Sequence, residues 1–131
     1  TEDILLNRAD CAFFSVHQSP AYPHTGLAHR GDNCFNYTVD PGAPANAYRD
    51  ACSRALNKLK EFKPDLIAVS AGFDSYKNDL LCDQNMDVED FNWLGKEIRA
   101  LNVPTFSLLE GGYSKALPEL ILAYLKGFNG K

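Results

Sequence analysis

Apolar positions along this 131-residue chain follow two periods. Three short β-prone runs, Ala12–Val16 (AFFSV), Leu66–Ser70 (LIAVS) and Thr105–Leu109 (TFSLL), each end in a loop rich in glycine, proline or polar residues, which predicts strands. Between and after them the spacing turns helical. Ala47, Ala51, Ala55, Leu56, Leu59 and Phe62 form one stripe, so Pro44–Phe62 reads as an amphipathic helix stopping before Lys63-Pro64. Phe91, Leu94, Ile98 and Leu101 form a second stripe. Asp87 is its expected cap, with acids in the first turn, and Asn102 its stop. A last helix is predicted from a Ser114 cap to about Lys126, with Pro118 in the first turn, where a missing N–H is tolerated. Thr1–Asp10 reads as a short helix or turn, and Cys34–Val39 as a short edge strand closed by Asp40-Pro41-Gly42.

The order of these elements is that of a doubly wound α/β fold in one domain. Only three parallel-type strands are predicted, and Leu66–Ser70 and Thr105–Leu109 read as buried on both faces. Part of the sheet is therefore expected to be missing or supplied by a partner.

In such folds, chemistry gathers outside the carboxyl ends of the strands. Strand Ala12–Val16 delivers His17 and, in the long loop after it, Tyr22, His24 and His29. Leu66–Ser70 delivers Asp74, and Thr105–Leu109 delivers Glu110 and Tyr113. Gly72, Gly111 and Gly112 permit sharp turns and close backbone approach there. Each candidate has a plainer reading beside it. From spacing alone Asp74 reads first as a turn or capping residue, Tyr113 as packing, His17 as a structural histidine, and His24 and His29 as loop surface. No HxH or HExxH spacing supports a histidine metal site. Neither GxGxxG nor GxxxxGK[ST] occurs, which argues against nucleotide binding, and without GxSxG a serine triad has little support.

Composition narrows the partners. Hydrophobic residues at 45% and charged residues at 23% are ordinary for a globular protein. A net charge of −4 argues against nucleic acid or an anionic membrane as partner, and no apolar run reaches the roughly 18–20 residues of a membrane span. Cys11, Cys34, Cys52 and Cys82 form no CxxC pair and are expected as free thiols in a reducing, cytoplasmic setting.

Four segments together resemble the histone deacetylase and acetylpolyamine amidohydrolase superfamily. SAGFDSYKNDLL at Ser70–Leu81 is similar to its AGFDxHxxDPL signature, and LEGGYS at Leu109–Ser114 to its LEGGY motif. Thr1–Gly26 resembles TQEIFYxDPxVLxxSxHQxxxYPGTG, and Asn33–Pro41 resembles NCxNxPLPxG. The resemblance implies a partial, truncated form of the three-layer α/β/α, mainly parallel arginase-like deacetylase fold. It also implies a zinc-dependent amidohydrolase acting on acetyl-lysine or acetylpolyamines. Asp74 then corresponds to a zinc ligand, Tyr113 to the hydroxyl donor facing the substrate carbonyl, Tyr22 to the aromatic wall of the acyl channel, and Gly111 and Gly112 to its floor. Zinc would polarise the amide carbonyl and lower the pKa of a bound water, and a phenol would steady the oxyanion.

The departures are His24 for glycine in YPGTG, Tyr76 for histidine, Asn78 for glycine and Leu80 for proline. The resemblance further implies that the remaining zinc ligands and the catalytic histidines belong to a segment upstream of Thr1. One aspartate does not make a hydrolytic zinc site, which ordinarily takes three protein ligands. The chain is thus expected to match the carboxyl-terminal half of a deacetylase, inactive alone and without stably bound zinc. Its expected partner is a complementing amino-terminal half or a second copy, and its alternative role that of a non-catalytic oligomerising or binding module.

Overall fold

The computed structural model describes all of residues 1–131. The elements run α1 (Glu2–Leu5), β1 (Phe13–Gln18), β2 (Cys34–Val39), α2 (Ala45–Phe62), β3 (Ile67–Ala71), α3 (Val88–Ala100), β4 (Thr105–Leu109) and α4 (Leu117–Phe128). β1 pairs in parallel with β2, Phe13 opposite Cys34 and Gln18 opposite Val39. β3 pairs in parallel with β4, Ile67 opposite Thr105 and Ala71 opposite Leu109. The two pairs are separate sheets with no hydrogen bonds between them. The parallel α/β class is as expected, and β2 proves to be a fourth parallel strand.

Local chemistry explains most boundaries. Asp87 caps α3 by accepting from Val88 N at 2.8 Å, and Asp90 accepts back from Asp87 N at 2.6 Å, a reciprocal capping box built with aspartate at the third position. Lys63 ends α2 and Asn102 follows α3, both in left-handed conformation (φ 54° each). The α4 start differs from the prediction. Its N-cap is Ala116 rather than Ser114, because Ser114 takes part in a preceding turn, its carbonyl accepting from Leu117 N at 3.2 Å. Pro118 does occupy the first turn.

The core lies between β3 and helices α3 and α4, where Phe73, Tyr76, Met86, Phe91, Ile98, Leu120, Ala123 and Tyr124 form one buried cluster. Two glycines set the helix spacing. A Cβ on Gly95 would lie 2.3 Å from Tyr124 O, and one on Gly127 only 2.0 Å from Asn92 O, so α3 and α4 touch backbone to backbone. Arg49 ties α2 to this unit, its Nε donating to Asp90 Oδ1 at 2.6 Å and its guanidinium lying 4.8 Å from the Trp93 ring centroid.

The strands are not covered on both faces. Ile67, Val69 and Ala71 turn toward the helices, whereas Ala68 and Ser70 are exposed. In β4, Ser107 faces Tyr124, their hydroxyls 2.7 Å apart, while Phe106 and Leu108 are left open. Only one helical layer of this chain lies against β3 and β4, which corrects the expectation of two-sided burial. The apolar runs match a doubly covered strand, yet no second layer of these 131 residues lies on that face.

Candidate functional site

Asp74 stands three residues beyond the end of β3, in a loop that Phe73 N anchors to Gly111 O at 2.8 Å. Its carboxylate is wedged between two glycines. A Cβ on Gly111 would sit 2.8 Å from Asp74 Oδ2, and one on Gly72 would sit 3.3 Å from Oδ1. Any larger residue at Gly111 would push the acid aside. The Gly111 position is also 3.6 Å from the Tyr113 ring, so carboxylate and phenol flank the same glycine. Gly112 adopts φ 138°, and a side chain there would strike Leu117 and Phe73, which explains the second glycine. Three of the predicted residues, Gly111, Gly112 and Tyr113, are thereby gathered around Asp74 at the carboxyl rim of β3 and β4.

Electrostatics mark the same spot. Partial burial, and secondarily the nearby Asp79, raise the Asp74 carboxyl above its usual value, against hydrogen bonds from the amides of Asp74 and Ser75. Asp79 holds the rim together. Its Oδ2 accepts from Tyr113 N at 2.8 Å, and its Oδ1 from Leu81 N at 2.9 Å and Cys82 N at 3.3 Å. One side chain therefore joins the loop after β3 to the loop after β4. Sequence reasoning did not single it out, although it is the second aspartate of the AGFDxHxxDPL pattern. Gln18 was missed too: its Oε1 accepts from Asp83 N at 2.7 Å and Gln84 Nε2 at 3.3 Å, tying the end of β1 to the loop after β3. Because the strand runs two residues past the predicted Val16, both His17 and Gln18 belong to it.

The other candidates lie elsewhere. Tyr22 is 91% exposed in the long loop, on the lining of the same cleft as Asp74. His17 is fully engaged: Nε2 donates to Gly26 O at 3.1 Å, which leaves Nδ1 to accept from the Ser15 hydroxyl at 2.9 Å. His29 Nδ1 accepts from Asn36 N at 3.0 Å, and its ring packs on Phe35 and Tyr37. His24 sits at φ 63°, a left-handed position where the resembling pattern has glycine. Tyr76 is a core residue. No group of three or more His, Cys, Asp or Glu is assembled in a metal-holding arrangement, so the residues present do not by themselves fit a catalytic zinc ion. Among the cysteines, burial pushes the Cys52 thiol up to about 12 and contributes most to raising Cys82 to about 11; all four thiols are free.

The rim is thus an acid and a phenol set around a Gly-Gly loop at the strand ends of a parallel α/β unit. The Histone deacetylase domain model matches residues 1–127, and the chain belongs to that family. It is similar to acetylpolyamine amidohydrolase 1 of Pseudomonas aeruginosa, with 31% identity over 140 residues, covering 99% of this chain and 40% of that protein. A probable deacetylase of Methanothermobacter thermautotrophicus is 32% identical over 141 residues, covering all of this chain and 43% of the relative. In three dimensions it superposes on the crystal structure of acetylpolyamine aminohydrolase from Burkholderia pseudomallei with a TM-score of 0.92 and 29% identity, over 98% of this chain and 40% of that one. The chain thus spans about two-fifths of the length of these relatives. No helix is long and apolar enough to cross a membrane.

Proposed function

We propose that this chain supplies one wall of a zinc-dependent amidohydrolase site for acetylated amines and acts only when the rest of the deacetylase fold completes it. The observation that carries this reading is the Asp74 carboxylate, wedged between Gly72 and Gly111 and flanked, across Gly111, by Tyr113. Burying an acid beside a second acid is costly, and such perturbed groups cluster at functional sites. In this reading Asp74 is a metal ligand, Tyr113 hydrogen-bonds the substrate oxygen as negative charge develops on it, Gly111 and Gly112 keep the floor open, and Tyr22 lines the approach. Asp79 holds the Tyr113 backbone in place. No hydrolytic step is assigned to the chain alone, because one carboxylate lacks the co-ligands and the general base that such a step needs.

The test is to measure zinc by elemental analysis and hydrolysis of an acetyl-lysine peptide, for the chain alone and after co-expression with the complementary part of a relative. Zinc and chelator-sensitive activity are expected only in the completed protein, and both are expected to vanish with Asp74→Ala. Stoichiometric zinc and activity in the isolated chain would overturn the requirement for completion. A completed protein indifferent to Asp74→Ala would overturn the role of Asp74.

A second reading, a non-catalytic oligomerising module, draws support from the exposed apolar face of Leu66, Phe106 and Leu108. A homo-oligomer in solution that binds no zinc under any pairing would favour it.

A further inference from the structure

The rim carries two acids, Asp74 and Asp79, and their surroundings give them different work. Asp74 has a glycine on either side. Asp79 is crowded with donors: Oδ2 accepts from Tyr113 N at 2.8 Å, and Oδ1 from Leu81 N at 2.9 Å and Cys82 N at 3.3 Å. The turn that carries Asp79 is fixed in the core. Asp79 N donates to the carbonyl of the buried Tyr76 at 2.9 Å, Lys77 N to Met86 O at 2.9 Å, and Met86 N to Ser75 O at 3.1 Å. The loop it reaches has little hold of its own. Gly111 and Gly112 make that loop pliant, Gly112 N makes no hydrogen bond, Tyr113 is 50% exposed, and α4 begins only at Leu117. Across this gap the Tyr113 amide meets an ionised acceptor, which makes such a bond about twice as strong as a neutral one.

We infer that Asp79 is a positioning residue for Tyr113: by accepting from the Tyr113 amide it sets where the phenol stands beside Gly111 and Asp74, and it touches neither metal nor substrate. The inference rests on the reading of Tyr113 as the donor to the substrate oxygen and adds the group that holds it there. The tolerances are narrow. A Cβ on Gly111 would lie 3.2 Å from Asp74 Cγ and 3.6 Å from Tyr113 Cε2, so the ring stands one glycine's width from the acid. With two glycines immediately before Tyr113, rotation at either carries the whole ring with it, and the amide bond to Asp79 is what resists that rotation. A displacement of about 1 Å at a reacting group costs on the order of 100-fold in rate. The rival role is a second metal-holding acid beside Asp74. It is opposed by the three amides on Asp79, which occupy all but one of the roughly four lone-pair sites of a carboxylate.

Asp79→Asn is the discriminating variant. Its one amide oxygen can go on accepting from Leu81 N and Cys82 N, and its NH2 then faces the Tyr113 N–H, donor against donor. In the chain alone, amide-resolved hydrogen exchange of the parent is expected to show Tyr113 slower than Gly112 by on the order of 10-fold or more. Asp79→Asn should bring Tyr113 to the Gly112 rate, keep Leu81 protected, and abolish the nuclear Overhauser contact between the Tyr113 ring and Gly111. Asp79→Ser, which keeps a turn-forming oxygen but is too short to reach Tyr113, serves if the first variant does not fold. In the protein completed by co-expression with the part of Pseudomonas aeruginosa acetylpolyamine amidohydrolase 1 outside the match, kcat on an acetyl-lysine peptide should fall on the order of 10–100-fold, with KM and zinc content little changed. A Tyr113 amide as fast as Gly112 in the parent, or a ring contact that survives Asp79→Asn, would overturn the inference. So would a variant that loses zinc, which would make Asp79 a ligand, or one that changes KM alone, which would place it against substrate. A completed parent without activity would count against the proposed site, while the exchange and ring-contact results still decide the role of Asp79.

Discussion

Replacing Gly127 by alanine tests the helix layer that supports the site. The added Cβ would lie 2.0 Å from Asn92 O, 2.9 Å from Asn92 C and 3.1 Å from Lys96 N. Ordinary contact begins near 3.4 Å, so the closest approach is too short by about 1.4 Å. The obstacle is backbone inside α3, which has no rotamer to change. α4 must back away, and Leu120 and Tyr124 withdraw from Phe73 and Phe91. Overpacking of this kind costs about 1–3 kcal/mol. A radial gap near an ångström also forfeits a quarter to a half of the dispersion well across the seam. Against this, alanine gains about 1 kcal/mol over glycine in a helix interior. The balance is a loss of about 2 kcal/mol, which for a chain of this length lowers Tm by roughly 6–10 °C. Thermal unfolding followed by far-ultraviolet circular dichroism measures it, with Asn57→Ala on the exposed side of α2 as a helix-propensity control. Gly95→Ala should act similarly, and the double variant should lose less than the two together, since both force the same helices apart. A Gly127→Ala protein as stable as the parent would refute backbone contact between α3 and α4.

Other outcomes follow from single residues. His24 at φ 63° bears a left-handed strain of about 1–2 kcal/mol, partly offset in His24→Gly by glycine's entropy cost of about 0.5–1 kcal/mol, so this variant should raise Tm by a few degrees; a fall would place His24 in a contact that compensates. For Asp74, burial raises the folded-state pKa above the unfolded value near 3.8, so the folded state holds this proton more tightly. Its penalty is absent below the unfolded pKa, grows as pH rises through the folded value, and is complete at neutrality. Asp74→Asn should therefore melt higher than the parent at neutral pH, with the gap closing near about pH 3; urea midpoints that coincide at both pH values would count against it. Alkylation at pH about 8 should spare Cys52 and Cys82, whose thiols lie near 12 and 11, and peptide mapping that finds either modified first would contradict their assigned surroundings.

Much of this was legible because the relevant signals are local. The cap at Asp87, the stop at Asn102 and the strand Cys34–Val39 depend on neighbours within a few residues, and all appear where the residue pattern puts them; the reciprocal role of Asp90 in the cap does not follow from that pattern. The same holds for the rim, since parallel strands with known ends bring Asp74 and Tyr113 together by topology alone. Ser114 misled because a serine before a helical stripe has two local uses, and here the turn took precedence over the cap. Asp79 stayed hidden because the partner that joins the two loops, Tyr113 N, lies 34 residues away, and no periodicity reports a side chain accepting from a distant backbone. Burial failed for a different reason. The runs at β3 and β4 state how much cover the strands require, while the source of that cover is not a property of the runs.

The bare strand faces and the strained acid belong together. Wedging a carboxylate between Gly72 and Gly111, close to Asp79, lowers the stability of the loop that carries it. Leaving Phe106 and Leu108 uncovered forgoes the hydrophobic gain that would offset such a cost. Both deficits occur on the sides of β3 and β4 away from α3 and α4 or at their carboxyl rim, while the helix side is packed to backbone contact. Whatever completes the fold beside β3 would cover the open strand face and close the rim at Asp74 together. Completion of the sheet and completion of the site would then be one event, with the free energy of the first holding the second in place.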